Sequence, residues 1–294
     1  MLDGFNTISV FRYRGRDFDG ESLNGTPPLT RLILLDPVWS VLISTVLCGA
    51  LSYLAYVRDV LTWDGTVAAF GVGMVIGIFG DVTWLLLLLF FLLSSFLATR
   101  YKFALKEAMG VQEGTRGERR STNVLANGIA PMAVAIVSFF DLSFLPKAAS
   151  GILFLSALAV AGADTLASEI GVLSRRVRLI SNFRKVSPGT DGGVSPLGQL
   201  MALGASFYTA VIGWLALYYL ARAYDLTQTM PEQPVYLMIP IVIGFVGCQI
   251  DSVIGATLEQ RGFVDKRTTN LIATTAGTVL AYAWFVAWTP LTSL

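Results

Sequence analysis

The chain has 294 residues, of which 54% are hydrophobic and 14% charged, against about 25% charged in an ordinary soluble domain. Its 21 basic and 20 acidic residues leave a net charge of +1, a balance that points to no nucleic-acid partner. Histidine is absent, which excludes a Ser-His-Asp triad, a histidine-bound zinc and a histidine-ligated haem.

Residues 1–32 are polar, with four arginines balanced by four acids. They lack the continuous apolar core of a signal peptide and read as a tail or interfacial segment. Residues 33–294 read as one all-α domain, a polytopic transmembrane helical bundle, because apolar runs approach the roughly 20 residues that cross a bilayer and mean hydropathy is +0.64. Eight apolar segments follow in order, at 33–57, 66–80, 82–99, 124–140, 148–173, 197–221, 235–254 and 271–292. The second is short and carries Gly71, Gly73 and Gly77, which favours close helix packing and an incomplete crossing. Cys48 and Cys248 lie inside apolar runs and read as small buried hydrophobes, not as a disulfide or metal site. With no soluble domain inserted, the active surface has to be built from loops and helix ends.

Fourteen of the 21 basic residues fall in three alternate loops, at 100–123, 174–196 and 255–270. The positive-inside rule turns these loops toward the cytoplasm. Eight crossings then put the N-terminal tail on the other side. Either that tail is neutral enough to stay there, or one early segment is re-entrant.

Ionisable groups inside a span are costly and are functional candidates by default. Asp164 lies near the cytoplasmic end of the fifth segment and Asp251 near that of the seventh, each followed by a hydroxyl residue and flanked by small residues. On a helix Glu169 diverges from Asp164 by about 140°, so Asp164 is expected to pair with Asp251 across the bundle while Glu169 sits nearer a basic loop. Helix-end solvation, or pairing with arginine, is the plainer alternative for each. Asp36 and Asp141 read as interfacial acids, and Asp81 as a turn.

The second basic loop contains Arg184, Lys185, Gly189, Thr190, Gly192, Gly193 and Ser195. Its glycines permit the positive-φ backbone of an anion-binding nest, and Ser195 and Pro196 open a helix whose N–H groups favour phosphate. No Gly-Lys dipeptide occurs, so this is not a Walker A loop. In the first loop Arg119 can clamp phosphate oxygens, with Asn123 and Asn127 one turn apart at the mouth of the fourth segment. The third loop reads as solvated, with Asn270 or Lys266 as candidate binders. Hard oxygen ligands beside phosphate-cradling loops suit Mg²⁺, held by Asp164 and Asp251. Phosphoryl or nucleotidyl transfer needs mainly positioning and charge neutralisation.

Four segments, at 119–128, 163–171, 188–198 and 251–260 with Asn270 following, resemble the integral-membrane family that contains plant phytyl-phosphate kinase and animal transmembrane protein 19. That family is distantly similar to CTP-dependent prenol kinases and membrane cytidylyltransferases. The resemblance puts Asn127, Asp164, Glu169, Gly189, Thr190, Gly192, Gly193 and Asp251 at characteristic positions. It implies a prenyl-phosphate kinase that passes a phosphoryl group from CTP or another NTP to a membrane isoprenoid monophosphate, phytyl or geranylgeranyl phosphate. Asp164, Asp251, Glu169 and Lys185 are the candidate catalytic residues. Gly189, Thr190, Gly192, Gly193, Ser195, Arg184, Arg119, Asn123, Asn127 and Asn270 are the candidate nucleotide-binding set. The expected partners are the lipid bilayer, the isoprenoid phosphate and the nucleoside triphosphate, and an oligomer is compatible. A CDP-lipid-forming cytidylyltransferase and a cation-coupled transporter are the alternatives.

Overall fold

The computed structural model describes residues 37–140, 145–223 and 229–292. The tail at 1–32, Asp36 and Asp141 lie outside the described residues. Nine helices of six or more residues order the described chain: α1 (Pro37–Val57), α2 (Trp63–Phe79), α3 (Val82–Arg100), the short α4 (Phe103–Ala108), α5 (Ser121–Phe139), α6 (Lys147–Gly171), α7 (Pro196–Leu215), α8 (Met238–Ile254) and α9 (Lys266–Thr292). Wider π turns, Ala216–Leu220 and Gly255–Glu259, prolong α7 and α8. A small antiparallel hairpin between α6 and α7 pairs β1 (Arg178–Leu179) with β2 (Gly193–Val194). Among the described residues six helices, with their π extensions, are long and apolar enough to cross a membrane. The 17 residues of α2 rise about 25 Å, short of a hydrocarbon core about 30 Å thick, which agrees with the abbreviated second segment of the sequence.

Helix starts follow their capping residues. Asp81 sits between α2 and α3 and accepts from the N–H groups of Thr83 (2.7 Å) and Trp84 (3.1 Å), so the turn expected there is also the N-cap of α3. Ser195 caps α7 ahead of Pro196 and accepts from Gly198 N–H at 3.0 Å. Asp265 caps α9 by accepting from Thr268 N–H (2.9 Å) and Thr268 Oγ1 (2.6 Å). These two hydrogen bonds hold the Asp265 carboxyl below the usual carboxylate range.

The centre of the bundle is α6, whose apolar stretch is wholly buried. It packs against α3, α5, α7, α8 and α9. Lipid tails are as apolar as leucine, so helices in a bilayer gain by bringing backbones close. Small residues provide that approach: a Cβ placed on Gly247 of α8 or Gly277 of α9 would run into Val160 of α6. The outer faces carry exposed Leu93, Leu97, Leu203, Phe207 and Val279, the surface that meets acyl chains. Cys48 and Cys248 are both free thiols, and both are buried.

Spans consecutive in the chain run antiparallel, and the three basic loops collect at one end. Gly77 meets Ser44 and Gly73 meets Cys48, which sets α2 against α1. At the loop end, Thr62 N–H donates to the Arg119 carbonyl (3.1 Å), Gly189 packs on Val111, and Gln260 Nε2 donates to the Asp191 carbonyl (2.8 Å). The first loop thus touches the second, and the second touches the third.

Candidate active site

Two helices bring the buried acids to this end. Asp164 lies a little under two turns from the end of α6, and Asp251 one turn from the end of α8. They are 7% and 3% exposed. Between them stands Lys266, the first residue of α9: its Nζ is 2.6 Å from Asp251 Oδ1 and 3.7 Å from Asp164 Oδ1. Asn270, one turn further along α9, completes the group. In the amide orientation that satisfies its surroundings it donates to Asp251 Oδ2 (3.0 Å) and to the Lys266 carbonyl (2.8 Å). The pairing of Asp164 with Asp251 across the bundle is therefore bridged by a cation. Lys266 does not sit in a solvated loop, because α9 begins at this residue and aims its stem across the helix ends. Its spacing of four from Asn270 was the available signal, since that interval puts both on one helical face.

The glycine loop reaches the same place. Gly189 (φ +83°) and Gly192 (φ +72°) have left-handed backbone, which a side chain adopts at a cost. Gly192 presses on Ala256 in the π turn just after Asp251, so closely that a Cβ has no room. The loop spends part of its own donor set on closure: Thr190 N–H donates to Ser187 O (3.2 Å) and Gly193 N–H to Thr190 O (2.9 Å). Ser195 is buried, and its hydroxyl is engaged at the cap and with Gly171 O (3.1 Å). Arg184 and Lys185 lie exposed on the hairpin, held by backbone bonds from Leu179 N–H to Arg184 O (2.9 Å) and by the bridge from Lys185 to Arg178.

Glu169 faces elsewhere, as its spacing from Asp164 predicts. It pairs with Lys106 of α4, Nζ to Oε2 at 2.6 Å, and its other oxygen accepts from Thr99 Oγ1 at 3.0 Å. Lys106 also donates to the carbonyls of Ala98 (3.1 Å) and Thr99 (2.7 Å) at the end of α3. By count Lys106 belongs to a basic loop, yet it is fully buried. Nothing in the sequence around it marks it apart from Lys102.

A cleft opens beside this pair, between α2, α3 and α5. Leu61, Val72, Leu88 and Phe91 form its walls, and Arg119, Asn123 and Asn127 its polar rim. Arg119 donates to Thr99 Oγ1 (3.3 Å). Asn123 donates to Glu113 Oε1 (2.6 Å), and Asn127 to the Asn123 carbonyl (3.1 Å). Phe91 reaches α6 at Gly162, two residues before Asp164. Thr274 of α9 reaches the Ala126 carbonyl at 3.4 Å. The cleft and the acid pair are thus neighbours across α6 and α9.

Among the described residues no three Asp, Glu, Cys or His side chains are grouped to hold a metal ion by themselves. Two carboxylates are present, and Mg²⁺ commonly takes one or two carboxylates with the remainder from phosphate and water. The donor set at Asp164 and Asp251 fits an ion shared with a phosphorylated ligand.

The family model for integral membrane protein DUF92 matches residues 46–285. The chain belongs to this family. It is an integral membrane protein in contact with lipid, and the family is the one to which its four motif segments point. A membrane protein of Methanocaldococcus jannaschii is 30% identical over 223 residues, 74% of this chain and 82% of that one. Protein PGR of Arabidopsis thaliana is 31% identical over 242 residues, 79% of this chain and 83% of its own length. The chloroplastic protein VTE6 of the same plant is 29% identical over 229 residues, 75% of this chain and 64% of VTE6. No solved structure matches the chain significantly.

Proposed function

We propose that this DUF92 protein is a prenyl-phosphate kinase, transferring the terminal phosphoryl group of CTP or another nucleoside triphosphate to a membrane isoprenoid monophosphate. The observation that carries the reading is the convergence of two buried carboxylates, a lysine and an asparagine from three helices on one point beside the glycine loop. Membership of the family supports it. The concentration of basic residues at this end, read by the positive-inside rule, turns the site toward the cytoplasm, where the nucleotide is.

Each part of the chain then has a task. The nucleotide phosphates lie against the loop at 189–193, with Arg184 and Lys185 supplying charge from the hairpin. Asp164 and Asp251 would hold Mg²⁺, which when bound supplies charge neutralisation to the phosphate oxygens. The acceptor enters from the bilayer, its chain in the cleft of Val72, Leu88 and Phe91 and its phosphate at Arg119, whose guanidinium can grip two oxygens at once. An oxygen of the acceptor phosphate attacks the γ-phosphorus. The bond from that phosphorus to the β–γ bridging oxygen breaks, and the nucleoside diphosphate leaves with the electron pair. A phosphate oxygen is already anionic and nucleophilic, so no histidine or other strong base is needed. Glu169 acts through Lys106 to hold the first loop on α3.

The test is transfer of label from [γ-³²P]CTP or ATP to geranylgeranyl phosphate or phytyl phosphate by the purified protein in nanodiscs. Labelled diphosphate is expected with magnesium and is lost with a chelator. Full turnover by an Asp164→Asn, Asp251→Asn double variant overturns the mechanism. Release of pyrophosphate with formation of a CDP-lipid replaces the kinase by a cytidylyltransferase.

A further inference from the structure

Among the described residues two lysine–carboxylate contacts stand at the same end of the bundle, one sealed and one half-exposed, and they are built differently. Lys106 is 1% exposed along its side chain and gives its ammonium to two backbone carbonyls as well as to Glu169. It is locked on every side. Lys266 is 46% exposed along its side chain, and the acceptor within hydrogen-bonding distance of its ammonium is Asp251, with Asp164 at 3.7 Å. The two carboxylates it faces are only 11% and 4% exposed and stand on packed helices. The acids are fixed, while the cation can leave. Its side chain is half-exposed and turns about its own rotatable bonds, so it can swing out into solvent while the backbone of α9 stays in place.

Charge counting gives this mobility a purpose. A third carboxylate, Glu259 in the π turn that prolongs α8, reaches the first turn of α9, where it accepts from Thr269 Oγ1 at 3.3 Å. Among the described ion pairs the neighbouring cation Arg267 turns instead to Asp265, at 4.0 Å. One ammonium, itself half-exposed, thus faces an excess of negative charge on carboxylates that are buried. A divalent cation would balance the Asp164–Asp251 pair, and a buried ion pair persists only where its charges are balanced and bonded.

We propose that Lys266 is a resident counter-ion: it holds Asp164 and Asp251 together while the site is empty and yields that position to a divalent cation. The displaced ammonium then lies at the mouth of the site, free to meet the phosphate that arrives with the cation. The proposal rests on the reading of Asp164 and Asp251 as a divalent-cation site, and it makes an unusual demand. Removing Lys266 must strengthen binding of the cation alone.

The experiment is Mn²⁺ binding, followed by the EPR signal of the free ion, with the full-length protein in nanodiscs and no nucleotide. Lys266→Gln is expected to bind Mn²⁺ at least tenfold more tightly than wild type, Lys266→Arg to stay within a few-fold of wild type, and Asp251→Asn to lose the site. If Asp251→Asn loses the site and Lys266→Gln binds no more tightly than wild type, the counter-ion role falls while the acid site stands. If neither wild type nor Lys266→Gln binds Mn²⁺, with or without CTP, both fall. A second measurement needs no variant. Acetylation of Lys266 in wild type, quantified by mass spectrometry, should rise severalfold when saturating Mg²⁺ is added, and an unchanged yield overturns the exchange.

Discussion

Removing the amine of Lys106 tests whether the basic end is held by a buried charge or merely decorated by one. Lys106→Met keeps the length and apolar stem of the side chain and deletes its ammonium. Three contacts go with it: Glu169 Oε2 at 2.6 Å and the Ala98 and Thr99 carbonyls at 3.1 and 2.7 Å. Glu169 is left with the Thr99 hydroxyl as its hydrogen-bond partner, at 3.0 Å. Both side chains are at most 10% exposed, so solvent does little to screen the loss. Deleting one member of such a pair costs about 3–5 kcal/mol, chiefly because the survivor is a buried charge without a partner. That corresponds to a fall of roughly 10 °C in melting temperature for a domain of a couple of hundred residues. Thermal unfolding in detergent, read by intrinsic fluorescence, measures it. Glu169→Gln strands the lysine and should cost a similar amount. A double variant, Lys106→Met with Glu169→Met, leaves no buried charge and should recover most of the loss. The reasoning is refuted if Glu169→Gln melts with wild type, or if the double variant is as unstable as the sum of the two singles. Assayed well below its melting temperature, Glu169→Gln should keep most of its transferase activity. A complete loss of activity with normal melting would make Glu169 a reacting group.

The remaining expectations probe the packing and the loops. Gly247→Ala puts a methyl group into Val160, so it should cost about 1–3 kcal/mol as an overpacked core, and Val160→Ala should restore part of the melting temperature. Gly192→Ala meets both left-handed backbone and the Ala256 backbone, so it should lift the loop from the π turn and raise the KM for nucleotide several-fold. Gly262→Ala has equally left-handed backbone, φ +74°, but open space around it; it should cost about 1 kcal/mol and leave KM unchanged, which separates strain from contact. Asp265 keeps its carboxylate below the usual range through Thr268, so its cap is complete above the ordinary carboxylate pKa and is lost as pH falls through the lowered value. Asp265→Ala should therefore reduce melting temperature near neutral pH and show a smaller difference from wild type once the pH has fallen through the lowered value; an equal difference at every pH would show that the carboxylate charge is not involved.

The class of fold was legible in the sequence because the bilayer imposes one-dimensional rules. A span must be long and apolar, and its charges must gather in particular loops; both are properties of consecutive residues. The segments at 82–99, 148–173 and 235–254 accordingly reappear as α3, α6 and α8. The divergence of Asp164 from Glu169 also follows from helical repeat alone, and Glu169 does turn away, toward Lys106. Partnership between distant segments is of another kind. Lys106 and Lys266 sit in basic loops of similar composition, but one is sealed beneath α3 and the other bridges two acids. Which of them is buried depends on how α4 folds under the end of α3, and on α9 starting at residue 266 and not a turn later. Those outcomes are set by the packing of helices far apart in the chain, where a displacement of a few ångströms decides whether an ammonium finds carboxylates or water. The acids, and Lys266 as a candidate binder, could be found by reading along the chain; that this lysine bridges the two acids could be found only once the helices were assembled.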